Sequence, residues 1–270
     1  MTLLVPLVVG VLVGLLMGSL GGGGAIIAIP ALVYLLGQSP AAATAASLVI
    51  VGMTSLSGIT QHGRAGRVAW GEGSVFGLLG VVGSAVGSLA SHRVPEVVLM
   101  TSFAGLLLVV ALVMWRRARA GGRRGEPGDA VTSRTPLVSF RPLRVHLDQL
   151  PLVLALATAV GLLTGFFGVG GGFAVVPALT LALGLPMQRA VGTSLLVILI
   201  SALSALAVRA LSGGLDLDWQ IVLPFALTAM AASFLGGRIG QAVPAHRLQA
   251  AFAVLLVAVA VVTLGELALA

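Results

Sequence analysis

Two stretches decide how this chain is read: GSLGGGGAIIAIPALVYLLGQSPAAATAASL at residues 18–48 and GFFGVGGGFAVVPALTLALGLPMQRAVGTSL at residues 165–195. They align at a constant offset of 147, and between 18–51 and 165–198 twelve of 34 positions are identical. The pairs include Gly18/Gly165, Gly21/Gly168, Gly24/Gly171, Pro30/Pro177, Gly37/Gly184 and Ser47/Ser194. After a two-residue insertion near Gly213–Gly214 the offset becomes 149, pairing Trp70/Trp219, Gly87/Gly236, Pro95/Pro244 and Phe103/Phe252. Apolar residues coincide by chance, but Gly, Pro and Trp held in register over the whole unit mark an internal duplication.

The surroundings are lipid-like. Of 270 residues, 58% are hydrophobic and 9% charged, with a mean hydropathy of +1.13. A soluble domain is about 45–50% apolar and about 25% charged, so this chain lacks the charge to cover a water-facing surface. At roughly 20 apolar residues per spanning helix there is room for about eight to ten membrane segments. The expected fold is an all-α polytopic membrane protein of two homologous repeats, 1–115 and 150–270, joined by an Arg-rich linker at 116–149. In each repeat, two short apolar runs meeting at glycines precede three full-length runs.

Those glycine clusters, Gly18–Gly24 and Gly165–Gly172, interrupt apolar stretches of over thirty residues. Each glycine costs a helix about 1 kcal/mol relative to Ala, so a cluster should open it. The flanking runs of 12–16 residues reach only about 18–24 Å at 1.5 Å per residue, short of a roughly 30 Å hydrocarbon core. Either each pair is one long broken helix, or it is a hairpin whose glycine tip lies inside the membrane.

Charge separates the two readings. All fifteen basic residues are Arg, eight of them between Arg116 and Arg144, and the net charge is +7. Arg beside an apolar span anchors it on the cytoplasmic side, which makes the basic balance a membrane signal and not a nucleic-acid one. If each short pair is a hairpin, the halves are inverted and thirteen of the fifteen Arg fall on the linker side, leaving Arg93 and Arg209 opposite. If each pair is one span, the halves are parallel and the split is eleven to four. Arginine asymmetry favours inversion, with a cytoplasmic linker. The linker itself, rich in Arg, Gly and Pro, reads as a flexible loop. The start, MTLLVPLVVG, has no basic segment, and no cleaved signal peptide is read.

A glycine tip in a bilayer must be buried in protein or line a watery cavity. It would free N–H groups at the start of the next short helix, near Ala25 and Phe173, and helix N-termini attract anions. Discontinuous helices at a repeat interface are where secondary transporters hold their substrate. The candidate binding residues are therefore Gly21, Gly22, Gly23, Gly24 and Ala25 with Gly168, Gly170, Gly171, Gly172 and Phe173, joined by the hydroxyls of Ser47, Thr193 and Ser194. The competing view is that these hydroxyls bond back to their own helices. Gly83-x-x-x-Gly87 and the series Ala232, Gly236, Gly240 read as helix-packing stripes. His62 and Arg209 hold matching run ends and either line a vestibule for anions or anchor at the interface. Glu72, Asp216 and Asp218 sit at run ends, in interfacial water, which leaves a proton relay without an obvious residue. With no Cys and four scattered His, neither disulfides nor a metal site is expected.

The glycine break, the Pro that follows it and the G-T-S-L segment at 192–195 resemble the TauE/SafE sulfite-exporter family (the toluene-sulfonate uptake permease group). The first-half copy is weaker, with Ala45–Ala46 where the second half has Gly192–Thr193. The resemblance implies a bacterial inner-membrane permease for small sulfur-containing anions such as sulfite or organosulfonates, without a cofactor. The expected partners are thus a small anion and the lipid bilayer, with no nucleic acid and with homo-oligomers allowed. A channel for small anions or neutral solutes is the alternative. An intramembrane enzyme would need a nucleophile, base or metal ligand within the runs, and none is found there.

Overall fold

A computed structural model describes residues 4–91, 95–123, 138–140, 143–145, 150–167, 172–211 and 217–269. The first repeat holds α1 (Leu4–Leu20), the short α2 (Gly23–Pro30) running into a π-helical turn π1 (Ala31–Leu35), then α3 (Pro40–Arg64), α4 (Trp70–Ser91) and α5 (Glu96–Arg123). The second holds α6 (Leu150–Phe167), α7 (Gly172–Pro177) with π2 (Ala178–Ala182), α8 (Met187–Leu211), α9 (Trp219–Ala242) and α10 (Ala245–Leu269). Between them, β1 (Val138–Phe140) and β2 (Leu143–Val145) pair antiparallel. The expected linker is thus not all loop, since α5 runs on to Arg123 before the short hairpin.

Five helices among the described residues are long and apolar enough to cross a membrane: Ala42–Arg64, Met100–Ala120, Met187–Leu211, Trp219–Ala242 and Ala245–Gly265. Helix α1 and the stretch Leu154–Leu163 are apolar but shorter. The surface is inside-out by the standard of a soluble protein. Leu4, Val8 and Leu12 of α1, Leu223, Leu227 and Leu235 of α9 and Val254, Val261 and Val262 of α10 are exposed. Ser47, Thr54, His62, Glu72, Thr193, Ser194 and Ser233 are buried. This is the distribution a hydrocarbon solvent imposes, since only backbone and side chains satisfied from within can face it.

The duplication recurs in local geometry. Gly37 and Gly184 both take left-handed φ, +65° and +67°. The next N–H in each copy reaches back six residues: Gln38 N–H donates to Leu32 O and Leu185 N–H to Leu179 O, both at 3.0 Å. The π turns begin right after Pro30 and Pro177, whose rings lack the N–H that a regular α ladder needs. The buried rings of Phe76 and Phe225 are matched in two separate cores, as are the side chains of Leu32 and Leu179.

Glycines set how the helices run. A Cβ at Gly10 would meet Phe225 and Thr228, one at Gly14 would meet Ala229, and one at Gly18 would meet Ser233 and Gly237, so α1 and α9 lie side by side in one direction. A Cβ at Gly236 would lie 2.9 Å from Leu15 Cα, and one at Gly240 2.9 Å from Ser19 Cα. Gly83, from the other expected stripe, abuts Thr158 and Leu162 of α6. Helices α3 and α9 also run together, with Ser57 Oγ donating to Met230 O at 3.1 Å and Gln61 at Gly237. Helix α3 runs against α8: Gly52 faces Ala202, Gly58 faces Leu195 and His62 faces Gly192.

Arg117 of α5 donates to the carbonyls of Thr180 at 3.0 Å and Leu181 at 3.4 Å, which the π turn leaves without regular partners. Arg117→Ala is expected to lower stability by about 1.5 kcal/mol, the low end for a charged hydrogen bond because the site is partly wet. Thermal unfolding in detergent checks this, and an unchanged midpoint would mean other groups hold those carbonyls.

Candidate functional site

The first glycine break is built by one residue in an unusual conformation. Gly21 has φ +75°, and its N–H still donates to Met17 O at 2.9 Å, so it closes α1 as a left-handed cap. Gly22 precedes α2 and makes no side-chain cap on its N-terminus. Gly24 serves packing instead, since a Cβ there would meet Met17 and lie 2.5 Å from Val13 O. The missing Cβ lets α2 lie against α1.

Gly21 also touches the other half of the molecule. A Cβ there would lie 2.5 Å from Ser194 Oγ, 3.2 Å from a Val176 methyl and 3.4 Å from Val191 Cα. The break of the first repeat therefore rests on α7 and the early turns of α8. Ser194 lies seven residues into α8, a depth of about 10 Å at the helical rise. The matching break of the second repeat, with Gly168, Gly170 and Gly171, lies outside the described residues. Gly172 and Phe173 open α7.

The hydroxyls have local partners. Ser47 Oγ donates to Thr44 O and Ser194 Oγ to Val191 O, each at 2.8 Å. Thr193 Oγ1 accepts from Ala69 N–H at 3.0 Å, tying the start of α8 to the turn before α4. Of the three, Ser194 is brought against the first break, at Gly21. Each hydroxyl oxygen that donates to its own helix keeps acceptor capacity, and its proton can be re-aimed.

His62 and Arg209, paired in the sequence, end in different surroundings. Arg209 is half-buried in the last turn of α8. His62 is 1% exposed, and its Nε2–H donates to Gly18 O at 3.3 Å. The wall behind it explains the Gly192 that the first half lacks: a Cβ there would lie 3.0 Å from His62 Cβ and 2.5 Å from Arg67 O. Glu72, expected in interfacial water, is instead 6% exposed, because the first turn of α4 packs on Thr193 and Leu196 of α8 through Gly73. Asp218 is exposed and caps α9 by accepting from Gln220 N–H at 3.0 Å; Asp216 is outside the described residues.

One polar face was missed. Ser233 Oγ donates to Thr54 O at 3.2 Å, Thr54 Oγ1 donates to Met17 Sδ at 3.3 Å, and Gln61 lies against Gly237. The signal was present: Thr54, Gly58 and Gln61 fall at i, i+4 and i+7, one stripe of a helix, and read as an ordinary apolar run only when averaged. No group of three His, Cys, Asp or Glu among the described residues is placed to hold a metal.

The family model described as sulfite exporter TauE/SafE matches residues 6–263. A probable membrane transporter protein of Xylella fastidiosa is 31% identical over 263 residues, covering 96% of this chain and 94% of its own. The probable membrane transporter protein YunE of Bacillus subtilis is 25% identical over 272 residues, covering 98% and 96%. A similarly named protein of Methanocaldococcus jannaschii, MJ0441, is 25% identical and covers 76% and 70%. No solved structure matches the chain.

Proposed function

Because the chain belongs to the sulfite exporter TauE/SafE family, we propose that it is a secondary transporter moving a small sulfur-containing anion, sulfite or an organosulfonate, across the bacterial inner membrane by alternating access. Membership makes it one of a family of membrane transporters; the cargo and the mechanism are this proposal. The observation that carries it is the contact of Gly21 with Ser194 and Val176. It brings the uncapped start of α2 and a hydroxyl of the other repeat to one buried place.

The course of the helices supports inverted repeats. Helices α3 and α8 are repeat mates, and their contacts descend in one as they ascend in the other, as mates do when one half is turned over. Helices α1 and α3 both run with α9. The chain between them must therefore return, which makes Gly23–Leu35 the second arm of a hairpin. With the linker cytoplasmic, this is also the arrangement that puts thirteen of fifteen Arg inside. In it, two glycine tips approach from opposite faces, and rocking one repeat against the other exposes the space between them to each side in turn.

The transporter reading expects a selective thermal shift. Detergent-purified protein is unfolded with sulfite, sulfate, thiosulfate, sulfoacetate or chloride present. A ligand at about 100 times its dissociation constant stabilises by roughly 2.7 kcal/mol. Ser194→Ala removes only a bond to its own helix, so the unliganded midpoint should hardly move, while the shift from the sulfur anion should fall at least twofold. An unchanged shift would remove Ser194 from the site. In vesicles, counterflow of labelled anion separates a carrier from a channel, which shows none.

A further inference from the structure

Beside the end of α1, the last turn of α3 and the turn after it carry polar groups that anion binding at the break does not use. His62 Nδ1, Gln61 Oε1 and Arg67 Nη1 are all buried without a hydrogen-bond partner among the described residues. His62 is held from several sides: Gly18 O of α1 accepts from Nε2–H at 3.3 Å, Gly192 of α8 faces the His62 Cβ, and the His62 carbonyl accepts from Arg67 N–H at 2.9 Å. A carbonyl only accepts, so Nε2 carries the hydrogen and neutral His62 presents the bare lone pair of Nδ1. Gly18 is three residues before Gly21, less than one turn from the left-handed break.

Among the described residues, the charged groups on the elements packed near this ring are few. Arg64 and Arg67 follow it in its own segment, Glu72 stands on α4 and Arg189 on the first turn of α8. Helix α1 has no charged residue, and Arg238 of α9 stacks on Phe234. Arg67 lies within electrostatic reach of the ring. A proton on Nδ1 therefore creates a second cation beside the half-buried Arg67, on a ring that is itself shut off from water. That is favourable when an anion arrives with it, and unfavourable otherwise.

We propose that His62 is the proton-binding group of this transporter, its Nδ1 taking up a proton as the anion binds and returning it to water as the anion leaves. This rests on the transport reading above. Only the N–H bond forms and breaks; the proton comes from water and goes back to it. While protonated, the ring also donates a charge-assisted bond to Gly18 O, which links proton occupancy to the end of the helix that the break closes. No relay is evident along the sequence because its usual mark is a carboxylate within a run, whereas the group here is a histidine folded inward from a run end.

The test uses the full chain in lipid vesicles, with whichever of thiosulfate, sulfate and methanesulfonate gives the largest counterflow. These anions keep a fixed charge between about pH 5 and 8, where His titrates. In the wild type, an imposed pH gradient is expected to raise probe accumulation at least fivefold, and a pH-sensitive dye should report proton movement with the anion. His62→Gln keeps a donor for Gly18 O but cannot titrate at Nδ1. It should accumulate no more probe than without a gradient, and its counterflow should lose the variation between about pH 5 and 8 that the wild type shows. Gradient-driven accumulation by His62→Gln at the wild-type level would overturn the proposal. So would wild-type net uptake of the anion without proton movement, a result that does not depend on the variant folding. Absence of wild-type counterflow with all three anions would overturn the transport reading, and this proposal with it.

Discussion

Gly21→Leu is expected to abolish anion counterflow, with at least a hundredfold loss of rate, while the protein still inserts in the membrane. Two costs coincide at this position. A side chain at φ +75° strains the backbone by about 1–2 kcal/mol. Its Cβ would also lie 2.5 Å from Ser194 Oγ and 3.2 Å from Val176, so the rest of the side chain fills the space where the repeats meet. Gly37 provides the control. Its φ is +65°, but nothing lies within 4 Å of a Cβ there, so Gly37→Ala carries the strain without the obstruction. Counterflow in vesicles should be near wild type for Gly37→Ala and absent for Gly21→Leu. Transport by Gly21→Leu at the wild-type rate would remove the break from the substrate path.

The second large effect is on stability. Gly14→Leu is expected to prevent α1 from docking on α9, and Gly161→Leu to do the same for α6 on α4. A Cβ at Gly14 would lie 2.8 Å from Ala229 Cα, and one at Gly161 would lie 2.8 Å from Gly80 Cα. These are matched contacts, since Gly14/Gly161 and Gly80/Ala229 are repeat pairs. Over-packing against side chains typically costs about 1–3 kcal/mol; here the obstacle is backbone, which cannot rotate away, so the loss should exceed that range. It would be read as loss of a monodisperse peak and of a cooperative thermal transition in detergent. The pairing is not reciprocal: a Cβ at Gly80 has nothing within 4 Å, so Gly80→Ala should unfold like wild type. Equal damage from Gly80→Ala and Gly161→Ala would show that helix propensity, not close approach, governs these positions.

Much of this was legible in the sequence because the bilayer restricts what a chain can do. Composition alone pointed to an all-helical membrane protein, and the Gly/Pro register exposed the duplication. The stripes at Gly83 and at Gly236–Gly240 could be assigned to packing because small residues at every fourth position have one geometric use. What the consecutive glycines do was less legible. Gly24 serves the packing of α2 on α1, while Gly21 supplies the left-handed turn and the contact with the second repeat. Identical residues in one run thus act differently, and only their neighbours separate them. Glu72 was misplaced for a related reason: a run end marks where hydropathy changes, not where protein burial ends, and Gly73 lets α8 cover that turn.

Class, repeat and the positions of the helix breaks thus follow from the order of residues alone, because local propensity and the cost of polar backbone in lipid act along the chain. Which residues meet across the repeats is set by tertiary packing. It placed Ser194 and not Ser47 against Gly21, turned Thr193 to Ala69, and folded His62 inward onto Gly18 while its repeat mate Arg209 stayed at a half-buried helix end. Those choices depend on close approach between helices far apart in the chain. The steric rule behind them, that a missing Cβ admits a specific neighbour, has no signature along one strand of sequence.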